Sequence, residues 1–111
     1  MSNYRYKVSH LLYCYTNSVF GNKATINRDR LRDIYPHHRH HFRIKFDKTI
    51  DAENAKNMML EALTKKFEDN NAINKEHSVL PDTIALKKHT DIIFSIEKNM
   101  YGEKYLSVLI A

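Results

Sequence analysis

The sequence predicts an α+β domain with about four strands in an antiparallel or mixed sheet. One main amphipathic helix over residues 51–70 packs on one face, and a short helix lies near 27–35. Three observations lead there. Residues 42–46 alternate apolar and basic side chains, residues 51–70 repeat apolar side chains at helical spacing, and residues 90–110 read as two strands around a turn.

Taken in order, Tyr4-Arg5-Tyr6-Lys7-Val8 alternates as a half-buried strand does, and the continuation to about residue 15 is read as strand because Tyr, Cys and Thr are weak helix formers. Val8, Leu11, Leu12 and Tyr15 also have helical spacing, which makes a helical ending the alternative. Turn chemistry at Thr16-Asn17-Ser18 and Gly21-Asn22 brackets Val19-Phe20. Ile26, Arg30, Leu31 and Ile34 then suggest the short helix, which Pro36 ends by disfavouring helical geometry at Tyr35.

The stretch Pro36 to Lys48 runs from a histidine cluster into a strand. Phe42, Ile44 and Phe46 share its apolar face, while Arg39, His41, Arg43 and Lys45 share the other. In 51–70, Asp51 suits the N-cap, Glu53 the first turn and Lys65-Lys66 the last, with Ala55, Met58, Met59, Ala62, Leu63 and Phe67 as the apolar stripe. Residues 71–90 give loop signals, with Thr83-Ile84-Ala85-Leu86 open between a short strand and a helical turn. The final hairpin pairs Thr90–Glu97 with Lys104–Ile110 through Asn99-Met100-Tyr101-Gly102, and its nearly continuous apolar run belongs inside a sheet.

The 111 residues suffice for one domain, 1–111, and no repeat or Gly/Ser hinge suggests a second. At 42% hydrophobic and 11% aromatic the chain has apolar surface enough to fold. Cys14, the only cysteine, cannot close an internal disulfide and is expected to act as a small buried apolar residue, so a cytoplasmic location is expected. No long apolar run predicts a membrane span, and Met1-Ser2-Asn3-Tyr4-Arg5 lacks the apolar core of a secretory signal. Asn, Ile and Lys make up 32 residues, a bias that fits a small phage or viral protein.

The net charge of +5 is segregated. Residues 1–50 hold 10 Lys/Arg against 3 Asp, residues 51–111 hold 8 against 10 acidic side chains, and all six Arg lie at or before residue 43. Arginine forks suit phosphate and carboxylate. The expected contacts with an anionic partner are Arg28, Arg30, Arg32, Arg39, Arg43 and Lys45, with His37 and His41 tuning affinity by pH. The partner is RNA or DNA, or alternatively an acidic protein surface. A homodimer through a free strand edge is a further expectation.

Four histidines in five residues invite a metal, with His38 and His40 as the candidate pair. Arg39 between them repels a cation, no Cys, Asp or Glu joins the cluster, and no metal or other cofactor is expected. His38-Arg39-His40 is similar over three residues to the paired-histidine motif of HUH-type nicking endonucleases. It carries Arg39 where that family has an apolar residue, and the 51–70 helix contains no tyrosine, so no activity is carried over. There is no Gly-rich phosphate loop and no Gly-x-Ser-x-Gly elbow, and a binding protein is expected rather than an enzyme. A metal-free nuclease using His40 or His41 is the remaining enzymatic alternative.

Overall fold

The computed structural model describes residues 4–28, 40–76 and 80–111. Its elements, in order, are α1 (Tyr4–Phe20), a 3₁₀ turn (Gly21–Lys23), β1 (Ala24–Arg28), β2 (His41–Phe46), α2 (Ala52–Asp69), β3 (Thr83–Leu86), β4 (Thr90–Lys98) and β5 (Lys104–Ile110). The five strands of the described residues form one antiparallel sheet in the order β1-β2-β5-β4-β3, one strand more than expected. The latest strand in sequence, β5, is therefore the central one.

The largest correction falls on the first element. Residues 4–20 are a helix, not a strand to residue 15 followed by turns. Val8, Leu12, Thr16 and Phe20 recur every fourth residue and are buried, and this single row decides the conformation over the local preference of Tyr, Cys and Thr for a pleated surface. Thr16 is accommodated because its hydroxyl donates to the Leu12 carbonyl at 2.8 Å. Gly21, at φ 56, ends the helix in a conformation glycine adopts freely. The helix expected near 27–35 is corrected where it can be compared: Asn27 and Arg28 are in β1, paired with Arg43 and Phe42, and the rest of that span lies outside the described residues.

α2 matches the expected helix. The Asp51 carboxylate accepts from the Asn54 amide at 3.1 Å as the N-cap, and Ala55, Met59, Leu63 and Phe67 form the buried row. One stripe position differs from expectation, since Met58 is 43% exposed, and one residue outside the stripe, Lys56, is buried. Lys56 reaches Asp82 at 3.0 Å and Glu53 at 3.1 Å, so its ammonium enters the protein already paired. Cys14 is exposed rather than buried, because it lies off the every-fourth-residue row of α1. The segment 83–86 is strand, closed at its far side by a single bridge between Ile73 and Leu86.

Both helices cover one face of the sheet. Register places Phe42 opposite Val108 and Val108 opposite Phe94, and Ile44 opposite Leu106 and Leu106 opposite Ile96, and these residues pack with the helix rows in one core. The other face carries the alternate positions, including Arg43 opposite Ser107 and His41 opposite Leu109, with no helix over it among the described residues. No helix of the described residues is long and apolar enough to cross a membrane.

Candidate nucleic-acid interface

The expected site residues divide between two places. His41, Arg43 and Lys45 share the helix-free face of β2, as their alternation requires. There the His41 Nε2 lies 2.6 Å from the Ser107 hydroxyl, and the Arg43 guanidinium sits 5.4 Å from the centroid of Tyr105. Lys45 Nζ lies 2.7 Å from a Glu103 carboxylate oxygen, and the Tyr105 hydroxyl donates to Glu97 at 2.8 Å. The Lys45 ammonium, helped by Asn99, holds the Glu103 carboxyl below its usual range. The basic row is present, but carboxylates from β4 and the β4–β5 turn balance it.

Arg28 stands at the end of β1. Arg30, Arg32, Arg39, His37 and His38 lie outside the described residues. His40 and His41 do not converge. The His40 ring meets Tyr6 of α1 edge to face, with centroids 4.7 Å apart, while His41 faces Ser107. No group of three or more His, Cys, Asp and Glu suited to a metal occurs among the described residues.

A second gathering of cations was not legible in the sequence. Antiparallel register brings Arg28, the start of β2, the close of β5 and the β3–β4 turn to one end of the sheet, since Arg28 pairs with Phe42, His41 with Leu109, Ile110 with Ile92 and Leu86 with Thr90. The N-terminal turn of α1 joins them. Arg5 donates to the His89 carbonyl at 3.0 Å, and the Lys88 ammonium lies 4.9 Å from the ring centroid of Tyr4. Burial raises the Tyr4 phenol above its ordinary pKa. Arg5, Lys7, Lys87 and Lys88, far apart in sequence, thus collect at this end, and none of them forms an ion pair among the described residues.

Comparison with protein-family models, with curated proteins and with solved structures finds no match. The geometry of the chain itself is what bears on function.

Among the described residues, the acidic side chains at the same end, Glu68, Asp69, Glu76 and Asp91, all belong to the α2–β3–β4 side. From residue 4 to residue 28 there is no Asp or Glu. The flank built from α1 and β1 is therefore purely cationic in its charges, and it carries two tyrosines, Tyr6 and Tyr13, that are 53% and 50% exposed. Between α1 and the β1–β2 edge lies a groove of about 330 Å³ lined by Tyr6, Ser9, His10, Tyr13, Ile26 and Phe42. Its chemistry is aromatic with polar margins. The signal for the turn cations was Lys87-Lys88-His89 between two apolar runs, and for the tyrosines it was their seven-residue spacing, which only a helical reading makes into one face.

Proposed function

We propose that this chain is a small basic binding protein without catalytic activity, which engages nucleic acid or a nucleic-acid-processing complex through its cationic end. The observation that carries the reading is the acid-free α1–β1 flank, brought beside Lys87 and Lys88 and beside Arg28 and His40, the described residues on either side of the Arg- and His-rich segment 29–39. Cations so placed neutralise successive phosphates and release counterions, and exposed aromatic rings give bases a surface to stack on. The lone cysteine and the Asn, Ile and Lys bias support a cytoplasmic, phage-encoded protein.

The test is fluorescence anisotropy of labelled RNA and DNA at several salt concentrations. Replacing both Lys87 and Lys88 with Ala should weaken binding and lower the slope of log affinity against log salt by about 1.4, the value for two phosphate contacts on a single strand. Arg39→Ala with Arg43→Ala should act in the same direction. Lys98→Ala with Lys104→Ala, at the opposite end of the sheet, should leave the slope alone. No binding at low salt, or a slope that ignores the cationic-end substitutions, sinks the reading.

Met100 and Tyr101, 88% and 79% exposed at the tip of the β4–β5 turn, favour a second reading as a protein-docking module or inhibitor. A pull-down with and without nuclease separates the two, because only a directly bound acidic protein survives nuclease treatment.

A further inference from the structure

We propose that the groove between α1 and the β1–β2 edge takes unpaired bases of a single-stranded nucleic acid, stacked on Tyr6 and Tyr13, while Arg5, Lys7, Lys87 and Lys88 hold the phosphates alongside. The inference rests on the nucleic-acid reading above and names the strand state and the base contacts. Tyr6 and Tyr13 are two helical turns apart, about 10.5 Å along the axis, so they stand on one face of α1. Both border the groove, with the buried Phe42 beneath it and the half-buried Ile26 at its strand side. The every-fourth-residue row of Val8, Leu12, Thr16 and Phe20 fastens α1 without using either tyrosine, so their exposure is not needed for packing.

Three features select this occupant. The edge-to-face contact with His40 orients Tyr6 before any ligand arrives, which lowers the entropy lost on stacking. The same contact joins the groove to the cationic end, so a strand can lay its phosphates along Arg5 and Lys7 and turn its bases toward the rings. The exposed surface of α1 includes Tyr6, His10, Tyr13, Cys14 and Asn17 but a single lysine, Lys7. A helix that enters a duplex major groove reads base edges with Arg, Lys, Asn and Gln, whereas flat rings meet base faces, which a duplex keeps covered. An acidic peptide satisfies the cations but offers no flat face to the tyrosines.

The experiment uses the full chain and oligonucleotides of about 12 nucleotides, within the usual span of such sites, with one base replaced by 2-aminopurine, whose fluorescence is quenched on stacking. Tyr6→Ala and Tyr13→Ala should each lower affinity for single strands roughly 5- to 100-fold and abolish quenching while leaving the salt slope at its wild-type value. Tyr6→Phe and Tyr13→Phe should keep both affinity and quenching. Since both side chains are half exposed, circular dichroism should be unchanged in all four variants, and melting should shift by only a few degrees, most for Tyr6→Ala, which loses the His40 contact. RNA and DNA strands are run in parallel, and the tyrosine effect on either one supports the proposal and identifies the sugar it tolerates.

Salt-dependent binding with affinity and quenching untouched by both alanine variants overturns the groove assignment and leaves the cationic end as the interface. Binding to no oligonucleotide overturns both readings. Equal or tighter binding to the matched duplex overturns the single-strand assignment, and polyglutamate binding of equal affinity that depends on the same tyrosines overturns it in favour of an acidic protein.

Discussion

At Lys88 and His89 the backbone stands at φ 64 and 54, in the left-handed region, within the three-residue connection that joins Leu86 to Thr90. A side chain there costs on the order of 1–2 kcal/mol relative to glycine, and the chain places a cation and an imidazole in that costly position at its most cationic end. Lys88→Gly should therefore raise stability by about 1 kcal/mol in urea denaturation while weakening oligonucleotide binding. A loss of stability would show that the contact with Tyr4 outweighs the backbone strain. Lys56 presents the opposite case, a buried cation retained by its partners. Its hydrogen bond to Asp82, supported by Glu53, raises its pKa above the ordinary 10.5 although burial opposes the shift. Because the folded value is the higher one, this contribution is complete below the ordinary lysine value and is lost as pH rises through the folded value. The melting temperature of the wild type should fall over that alkaline window more than that of Lys56→Met, and Lys56→Ala should cost roughly 1–3 kcal/mol near neutrality.

Among the elements, α1 and β5 carry the most information. Leu12 of α1 and Leu63 of α2 are fully buried members of the two helix rows. Each change to Ala should cost about 2–5 kcal/mol by calorimetry or urea titration, and Leu63→Asp should unfold or aggregate the protein. A Leu12→Ala cost near zero would mean that α1 is only loosely attached, and the groove it forms with the β1–β2 edge would then lose its wall. β5 joins the β1–β2 pair to the β3–β4 pair, so removing Lys104–Ile110 leaves two hairpins with unpaired inner edges. That deletion should yield insoluble protein, checked by the fraction recovered after centrifugation.

Over the whole molecule the charge is polarised along the strands. At one end Lys45 pairs with Glu103 and Lys56 with Glu53 and Asp82, while at the other Arg5, Lys7, Lys87 and Lys88 gather without acidic partners among the described residues. Field lines from such an end steer an anionic ligand toward it, and the steering weakens as salt shortens the screening length. The association rate for single-stranded oligonucleotides should therefore fall several-fold between about 0.05 and 0.2 M salt in stopped-flow measurements, with the dissociation rate changing less. A salt-independent association rate would place the binding surface elsewhere.

The α+β class, the 51–70 helix with its Asp51 cap, the apolar face of β2 and the final hairpin were legible in the residues. Each depends on a local period or cap, and in each the local preference and the tertiary environment agree. The conformation of residues 4–20 was not legible, because Tyr4-Arg5-Tyr6-Lys7-Val8 alternates like a strand while the row that is buried returns only once per turn. Burial against the sheet decides between those two periods, and burial is a property of the fold. The candidate site divides in the same way. Alternation along β2 was enough to put His41, Arg43 and Lys45 on one face, but their pairing with Ser107, Tyr105 and Glu103 depends on β5 lying beside β2. The meeting of Arg5 with His89, and of Tyr6 with His40, joins segments with no sequence relation. Composition determined that the protein is basic, and residue order that its arginines lie early. Only the tertiary structure decided where that charge is exposed, because antiparallel register fixes which strand ends share one edge of the sheet.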